Sequence, residues 1–217
     1  MSDYDFLVYT DGACIGNPGP GGWAAIIRDR QGNERIVRGS AQRTTNNRME
    51  LRALLEALHV LPSGNHVRVL VRTDSRHLVD AIAKGWAARW RQHGWKRNRR
   101  DRAENTDLWG PLLDELDRRT VVVEWTKGHN GDPLNERCDA IARAEAEHAV
   151  GTDDGYVPAD RSTQQTLPLS ISSAGARVRC TPTDDGRIAI SDGTATVYIN
   201  SEDVSQIIGQ LVMLSRQ

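Results

Sequence analysis

Apolar and polar positions change period several times along this 217-residue chain, and each change marks an element. Residues 6–10, 23–28 and 34–39 are rich in Val, Ile, Tyr and Trp, and Gly-rich or polar turns separate them. That pattern predicts a three-stranded meander. From 46 to 61 the period lengthens, with Met49, Ala53, Leu54, Ala57, Leu58 and Leu61 at helical spacing. Thr45 or Asn46 can cap this helix, and Pro62 closes it. A strand is predicted at 67–73, then a helix opened by Asp74-Ser75 and carrying Leu78, Val79, Ala81 and Ile82. Residues 108–116 read as a helix, 121–125 as a strand and 134–149 as a helix. Three strands, helix, strand, helices, strand, helix: this order predicts an α/β fold with a mixed sheet covered by helices.

Beyond 150 the character changes. Residues 151–175 are rich in Gly, Asp, Ser, Thr and Pro without periodicity, which predicts a flexible linker. Short strands follow at 177–181, 187–191 and 194–199, with hairpin turns at Asp185-Gly186 and Asp192-Gly193. Val204, Ile207, Ile208, Leu211 and Leu214 fit one face of a final helix. The expected organisation is a main domain at 1–150, a linker at 151–175 and a small ββ-β-α accessory module at 176–217. A module of about 40 residues is near the lower limit for folding alone. It is expected to dock or to dimerise, and its role is open.

Charge alters this picture locally. Lys+Arg number 28 and Asp+Glu 29, so the chain as a whole is not polybasic. Residues 1–150 carry 23 Lys+Arg and 21 Asp+Glu, a balance of +2, and residues 151–217 carry 5 and 8, a balance of −3. No apolar run approaches the roughly 20 residues that cross a bilayer. The start, Met1-Ser2-Asp3-Tyr4-Asp5, lacks the basic-then-apolar order of a secretion signal. Cys14, Cys138 and Cys180 are odd in number and far apart, which argues against a disulfide framework and against a zinc site. A soluble cytoplasmic protein is expected, most simply a monomer, with its cysteines as small apolar fillers.

Two predicted strands end alike, 6–10 followed by Asp11 and 67–73 followed by Asp74, each preceded by Thr. As parallel neighbours they would lie about 4.8 Å apart. The two carboxylates would then share the carboxyl edge of the sheet, where open α/β sheets bind ligands. Close carboxylates repel unless a cation neutralises them, and oxygen donors favour Mg²⁺ or Mn²⁺. Capping of a helix or turn is the plainer role for each. Glu50 sits in the first turn of the long helix, where the helix dipole alone would account for it. Asn135 and Asp139 share one face of the last predicted helix, next to the apolar positions Cys138, Ile141 and Ala142. An acid at such a boundary needs a partner.

The residues 9–22, Tyr-Thr-Asp-Gly-Ala-Cys-Ile-Gly-Asn-Pro-Gly-Pro-Gly-Gly, resemble the first motif of bacterial type 1 ribonuclease H. Further matches follow in order: Thr44-Thr45-Asn46-Asn47-Arg48-Met49-Glu50-Leu51, Thr73-Asp74-Ser75, Gly94-Trp95-Lys96, and Lys127-Gly128-His129 with Asn135-Glu136-Arg137-Cys138-Asp139. The resemblance covers residues 4–147 and none of 158–217. It implies a ribonuclease H-like five-stranded mixed sheet flanked by helices. It also implies hydrolysis of the RNA strand of RNA–DNA hybrids with two Mg²⁺ ions, Mn²⁺ being a substitute, to leave 5′-phosphate and 3′-hydroxyl ends. Asp11, Glu50, Asp74 and Asp139 match the family's metal-binding acids. His129 matches a histidine that aids proton transfer or product departure, in keeping with imidazole chemistry near neutral pH. Two alternatives remain: a non-catalytic hybrid-binding protein, and another nuclease or transposase-like enzyme on the same fold.

Residues 84–100 hold seven Lys/Arg and no Asp/Glu, with Trp86, Trp90, Trp95 and His93 interleaved. Such a stretch attracts phosphates and offers aromatic faces to sugars or bases. Trp86 and Trp90, four apart, also suit anchorage to the core. The resemblance makes this the family's basic protrusion, with Arg91 and Lys96 among its contacts and Arg97, Arg99, Arg100 and Arg102 extending it. The same resemblance puts Cys14, Gly16, Asn17, Thr45, Asn46, Asn47 and Asn135 at the hybrid, where donors can sense the 2′-hydroxyl. The five Gly and two Pro of 12–22 precede no Gly-Lys-Ser/Thr, so a nucleotide P-loop is excluded. The family often has Gln where this chain has Arg76. Separately, Gln164-Gln165-Thr166-Leu167-Pro168-Leu169 resembles the Gln-x-x-Leu-x-Leu peptide by which bacterial replication and repair proteins bind the sliding clamp. Gln164, Leu167 and Leu169 would be its anchors.

Overall fold

The computed structural model describes residues 3–128, 131–157, 179–182, 187–191 and 196–200. The chain divides into two units, residues 1–159 and 160–217. The first unit contains β1 (Phe6–Cys14), β2 (Gly19–Asp29), β3 (Glu34–Thr44), α1 (Asn46–His59), β4 (Arg68–Thr73), α2 (Arg76–Ala83), α3 (Trp86–Gln92), α4 (Thr106–Asp117), β5 (Thr120–Trp125) and α5 (Pro133–Glu147). Its sheet runs β3-β2-β1-β4-β5. The meander pairs are antiparallel, whereas β1–β4 and β4–β5 are parallel. The expected mixed five-stranded sheet is therefore present.

Alternation along β1 sorts the side chains into two layers. Val8 faces a large cluster with Leu51 and Leu54 of α1, Leu78 of α2 and Trp109 and Leu112 of α4. Tyr9 faces a smaller cluster with Ala24, Ile26, and Cys138 and Ala142 of α5. Small residues let α5 lie close to β1 and β2. Buried Cys138 is a filler whose Sγ donates to the Ala24 carbonyl at 3.3 Å.

Three boundaries differ from the sequence reading. First, β1 and β2 continue through the Gly-rich stretch, with Gly12 opposite Trp23 and Cys14 opposite Gly21. Glycine pairs in a ladder as well as any residue, so the apparent loop is a long hairpin with a short tip. Second, α2 starts at Arg76 with Ser75 as its N-cap, so the Asp74 side chain is not the cap. Third, the linker does not begin at 151. Gln42 N–H donates to the Gly151 carbonyl at 2.9 Å, and Asp153 is buried. An ion pair with Arg48 at 2.6 Å draws residues 151–157 onto the first unit.

The second unit shows β6 (Arg179–Pro182), β7 (Arg187–Ser191) and β8 (Thr196–Asn200) as an antiparallel sheet in that order. His129, the linker peptide with Gln164, Leu167 and Leu169, both hairpin turns and the expected helix at 204–214 lie outside the described residues.

Candidate active site

The parallel ladder pairs Phe6 with Val69 and Thr10 with Thr73, so Asp11 and Asp74 leave adjacent strands at the same level. Asp11 is 6% exposed, and its Oδ2 is buried without a hydrogen-bond partner. Burial pushes its pKa up to about 8; the charges of Asp74 and Asp139 add to this, as does that of Glu50, against one backbone hydrogen bond from Gly12. Asp74, Asp139 and Glu50 thus lie near enough to raise it electrostatically.

Each acid is placed by a local device. Glu50 reaches the site because α1 starts hard against β1, where a Cβ on Gly12 would collide with the Glu50 and Met49 backbone. Asn46 Nδ2 donates to Glu50 Oε1 at 3.0 Å, and Ser75 Oγ donates to Oε2. The Asn46 N–H in turn donates to Asn17 Oδ1 at 3.1 Å, so the hairpin tip supplies the cap that Thr45 does not. Gly128 passes so close to Asp74 that a Cβ there would lie 2.6 Å from Oδ2. The indole N–H of Trp125 donates to the Asp74 carbonyl at 3.0 Å. Asp139 rides on α5, whose first turn is capped by Asp132 through the N–H groups of Leu134 and Asn135. The partner expected for Asp139 is Arg143, whose Nε donates at 2.8 Å.

The donor set suits a hard divalent cation: four carboxylates, one with an orphaned buried oxygen, and a raised pKa that a cation would relieve. Among the described residues no three His, Cys, Asp or Glu side chains already form a ligand cluster. Arg143 bonds Asp139, and Asn46 and Ser75 bond Glu50.

The expected substrate residues separate into groups. Cys14, Asn17, Thr45, Asn46 and Asn47 lie around the hairpin tip and the start of α1, with Cys14 Sγ donating to the Thr44 carbonyl at 3.5 Å. Gly16 takes φ of 70°, a backbone shape that favours glycine. Asn135 is buried on α5 with its Oδ1 unpartnered. Trp86, Trp90 and Trp95 pack on the large core cluster, as the anchor role requires. The outer edges of Trp86 and Trp90 still join Arg89, His93, Lys96 and Arg97 around an open hollow of 880 Å³. Arg91 instead turns to α4, pairing with Asp114 at 3.0 Å and Asp117 at 2.8 Å. The remaining cations of the protrusion, from Lys96 to Arg102, make no ion pair with the described residues.

Sequence reading missed a buried polar knot at the start of α1. Arg48 is 2% exposed. It pairs with Asp153 at 2.6 Å and with Asp107 at 2.5 Å, and Thr44 Oγ1 donates to Asp153 at 2.6 Å. Burial works against the Asp153 charge, but the hydrogen bonds from Arg48 and Thr44 and the nearby positive charges outweigh it, so its pKa is lowered. A buried cation at Arg48 was legible only as one letter inside a motif; its two acids lie 59 and 105 residues away.

The RNase H family model matches residues 3–147. The chain belongs to the RNase H family. It is 47% identical over 157 residues to Ribonuclease H of Nitratidesulfovibrio vulgaris, covering 72% of this chain and 99% of that protein. It is 44% identical over 151 residues to Ribonuclease H of Klebsiella pneumoniae subsp. pneumoniae, covering 70% and 95%. Among solved structures it is similar to LC9-RNase H1, a type 1 RNase H with the type 2 active-site motif. That likeness has 30% identity and a TM-score of 0.59, over 90% of this chain and 92% of that one. RNase H membership makes this an enzyme of the ribonuclease class and accords with the five-stranded sheet and its acid edge.

Proposed function

We propose that the protein is an endonuclease that hydrolyses the RNA strand of RNA–DNA hybrids, with two Mg²⁺ ions as its cofactors and Mn²⁺ as a substitute. The observation that carries this reading is buried Asp11, level with Asp74 on the adjacent strand, with an orphaned carboxylate oxygen and a pKa pushed up by burial and by the charges of Asp74, Asp139 and Glu50. Family membership and the enzyme names of relatives at 44–47% identity support it.

Divalent ions supply a water of lowered pKa and charge stabilisation for an in-line displacement at phosphorus. The protein's own residues hold and orient. Asp11 and Asp74 present oxygens from a rigid parallel ladder, and Glu50 and Asp139 approach from helices on either side. Asn17, Asn46 and Asn47 offer amide donors to the minor groove, where a 2′-hydroxyl distinguishes RNA from DNA. The unpaired cations of the protrusion attract the DNA strand. His129 is assigned proton transfer or product departure by the family motif alone. Products would carry 5′-phosphate and 3′-hydroxyl ends.

The Gln164–Leu169 peptide supports a second, finer reading: tethering to the bacterial sliding clamp through Gln164, Leu167 and Leu169, with the protein acting in the cytoplasm as a monomer. Deleting residues 167–169 should abolish clamp retention and leave hybrid cleavage intact; unchanged retention removes this reading.

The deciding experiment compares matched RNA–DNA, RNA–RNA and DNA–DNA duplexes with and without Mg²⁺. Cleavage confined to the hybrid and dependent on metal, lost in Asp11→Asn with hybrid binding kept, is the expected result. Cleavage of duplex DNA with the hybrid spared, or persisting cleavage by Asp11→Asn, overturns the proposal.

A further inference from the structure

One side-chain layer behind the acids lies a second polar row that the proposed chemistry does not use. Tyr9 and Arg72 are register partners across β1 and β4, and Arg72 and Glu124 are partners across β4 and β5. Tyr9 precedes Asp11 by two residues within β1, so the two share a sheet face, and Arg72 lies two residues before Asp74, just inside the end of β4. The Tyr9 hydroxyl donates to Asp132 Oδ2 at 2.8 Å and accepts from Arg72 Nη1 at 3.0 Å. Arg72 Nε also faces Glu124 at 3.5 Å. Asp132 uses its other oxygen to cap α5.

This geometry matters because of how α5 is seated. Its contact face is made of small residues, Cys138, Ala142 and Ala146, against Ala24 and Gly22. Such a face permits close approach and interlocks little; the larger Leu134 and Ile141 pack only at its partly buried margin. Two ion pairs tie α5 to β3, Arg137–Glu34 at 2.6 Å and Arg38–Glu145 at 3.3 Å. Both are exposed, and pairs of that kind hold little. The Tyr9–Asp132 bond ties the helix start to β1 itself, with Tyr9 only 3% exposed. With the longer contact from Cys138 Sγ to the Tyr9 carbonyl at 3.6 Å, it joins the strand that carries Asp11 to the helix that carries Asp139.

We infer that Tyr9 and Asp132 are positioning residues for the carboxylate cluster: their hydrogen bond, oriented by Arg72, fixes α5 along β1 so that Asp139 stands opposite Asp11 for a divalent cation. The inference rests on the metal-binding reading of the four acids.

The test is the full chain melted over a series of Mg²⁺ concentrations, reading the half-saturating concentration for the rise in melting temperature. Tyr9→Phe keeps the buried ring and removes only the hydroxyl. Asp132→Ser keeps a helix cap but is too short to reach Tyr9. Both variants should raise the half-saturating Mg²⁺ about tenfold, the lower end of what partners behind metal ligands contribute. Excess Mg²⁺ should restore hybrid cleavage towards that of the parent. A merely structural role would lower the metal-free melting temperature and leave the half-saturating concentration unchanged. That result in both variants overturns the inference while leaving the metal site standing. A parent protein whose melting temperature does not respond to Mg²⁺ overturns both.

Discussion

The Arg76 guanidinium stands 3.8 Å from the centre of the Trp125 ring, and the same indole donates its N–H to the Asp74 carbonyl. A cation is thus held by stacking beside an acidic site, on a ring that is 39% exposed. Arg76 makes no ion pair with the described residues, so its charge is available to a phosphate. This is the position where the family often has Gln. Arg76→Gln should raise KM for a hybrid and leave kcat within about twofold. Plotted as log affinity against log salt, the slope should become shallower by about 1, the loss of one phosphate contact. An unchanged slope would show that Arg76 serves the Trp125 stack alone.

The basic protrusion makes a stronger version of the same prediction. Arg97 and Arg99 line the hollow beside Trp86 and Trp90, and with Arg100 they carry no ion pair among the described residues. Replacing all three with Ala should cut the salt slope by up to about 3 with little change in melting temperature. Arg91→Ala should behave differently, because its charge is already matched by Asp114 and Asp117. Filter binding of a labelled hybrid at several salt concentrations separates the two cases.

The knot around Arg48 predicts where the first unit ends. Removing one partner of a buried ion pair typically costs about 3 kcal/mol or more. Asp153→Ala should therefore lower the melting temperature by about 6–12 °C in a chain of this size. Truncation after 150 should do the same, and truncation after 159 should not. The pH dependence has a definite sign. The folded-state pKa of Asp153 is lowered, so its stabilisation is present above the unfolded value of about 3.9 and fades as pH falls through the folded value. The gap between parent and variant should hold at neutral pH and close in acid.

Much of this was legible in the sequence for a physical reason. The strand-end acids Asp11 and Asp74 follow apolar runs whose period is unmistakable, and parallel pairing does the rest. The helices around Met49, Leu112 and Cys138 likewise declare their buried faces. What was not legible depends on contacts between distant residues. Nothing local marks Asp153 as buried, because its partner lies on α1; composition alone sends it to a linker. Arg91 looks like any other basic residue of its stretch until α4 brings Asp114 and Asp117 to it. The long hairpin was hidden by glycine, which has poor strand propensity but loses nothing in ladder hydrogen bonding once its neighbours fix the register.

Asp11 yields the sharpest test of the acid cluster without any substrate. Its folded-state pKa is raised to about 8, from an ordinary value of about 3.9, chiefly by burial and then by Asp74 and Asp139. A raised pKa means that folding favours the protonated acid. Its stabilisation is full below the unfolded value and is lost as pH climbs through the folded value, so the metal-free protein should weaken from about pH 4 to about pH 8. Asp11→Asn cannot acquire that charge. At pH 8 without divalent ions, the variant should melt above the parent by at least about 3 °C, the shift that roughly 1 kcal/mol produces in a chain of this length. Below pH 4 the two should converge. Mg²⁺ should reverse the order at pH 8 by stabilising the parent alone, through mass action on the folded state. Thermal melts at pH 4 and pH 8, each with Mg²⁺ and with a chelator, supply the four comparisons. A parent that outlasts the variant at pH 8 in chelator would mean that Asp11 is not crowded by the other acids, and the shared cation site would lose its electrostatic basis.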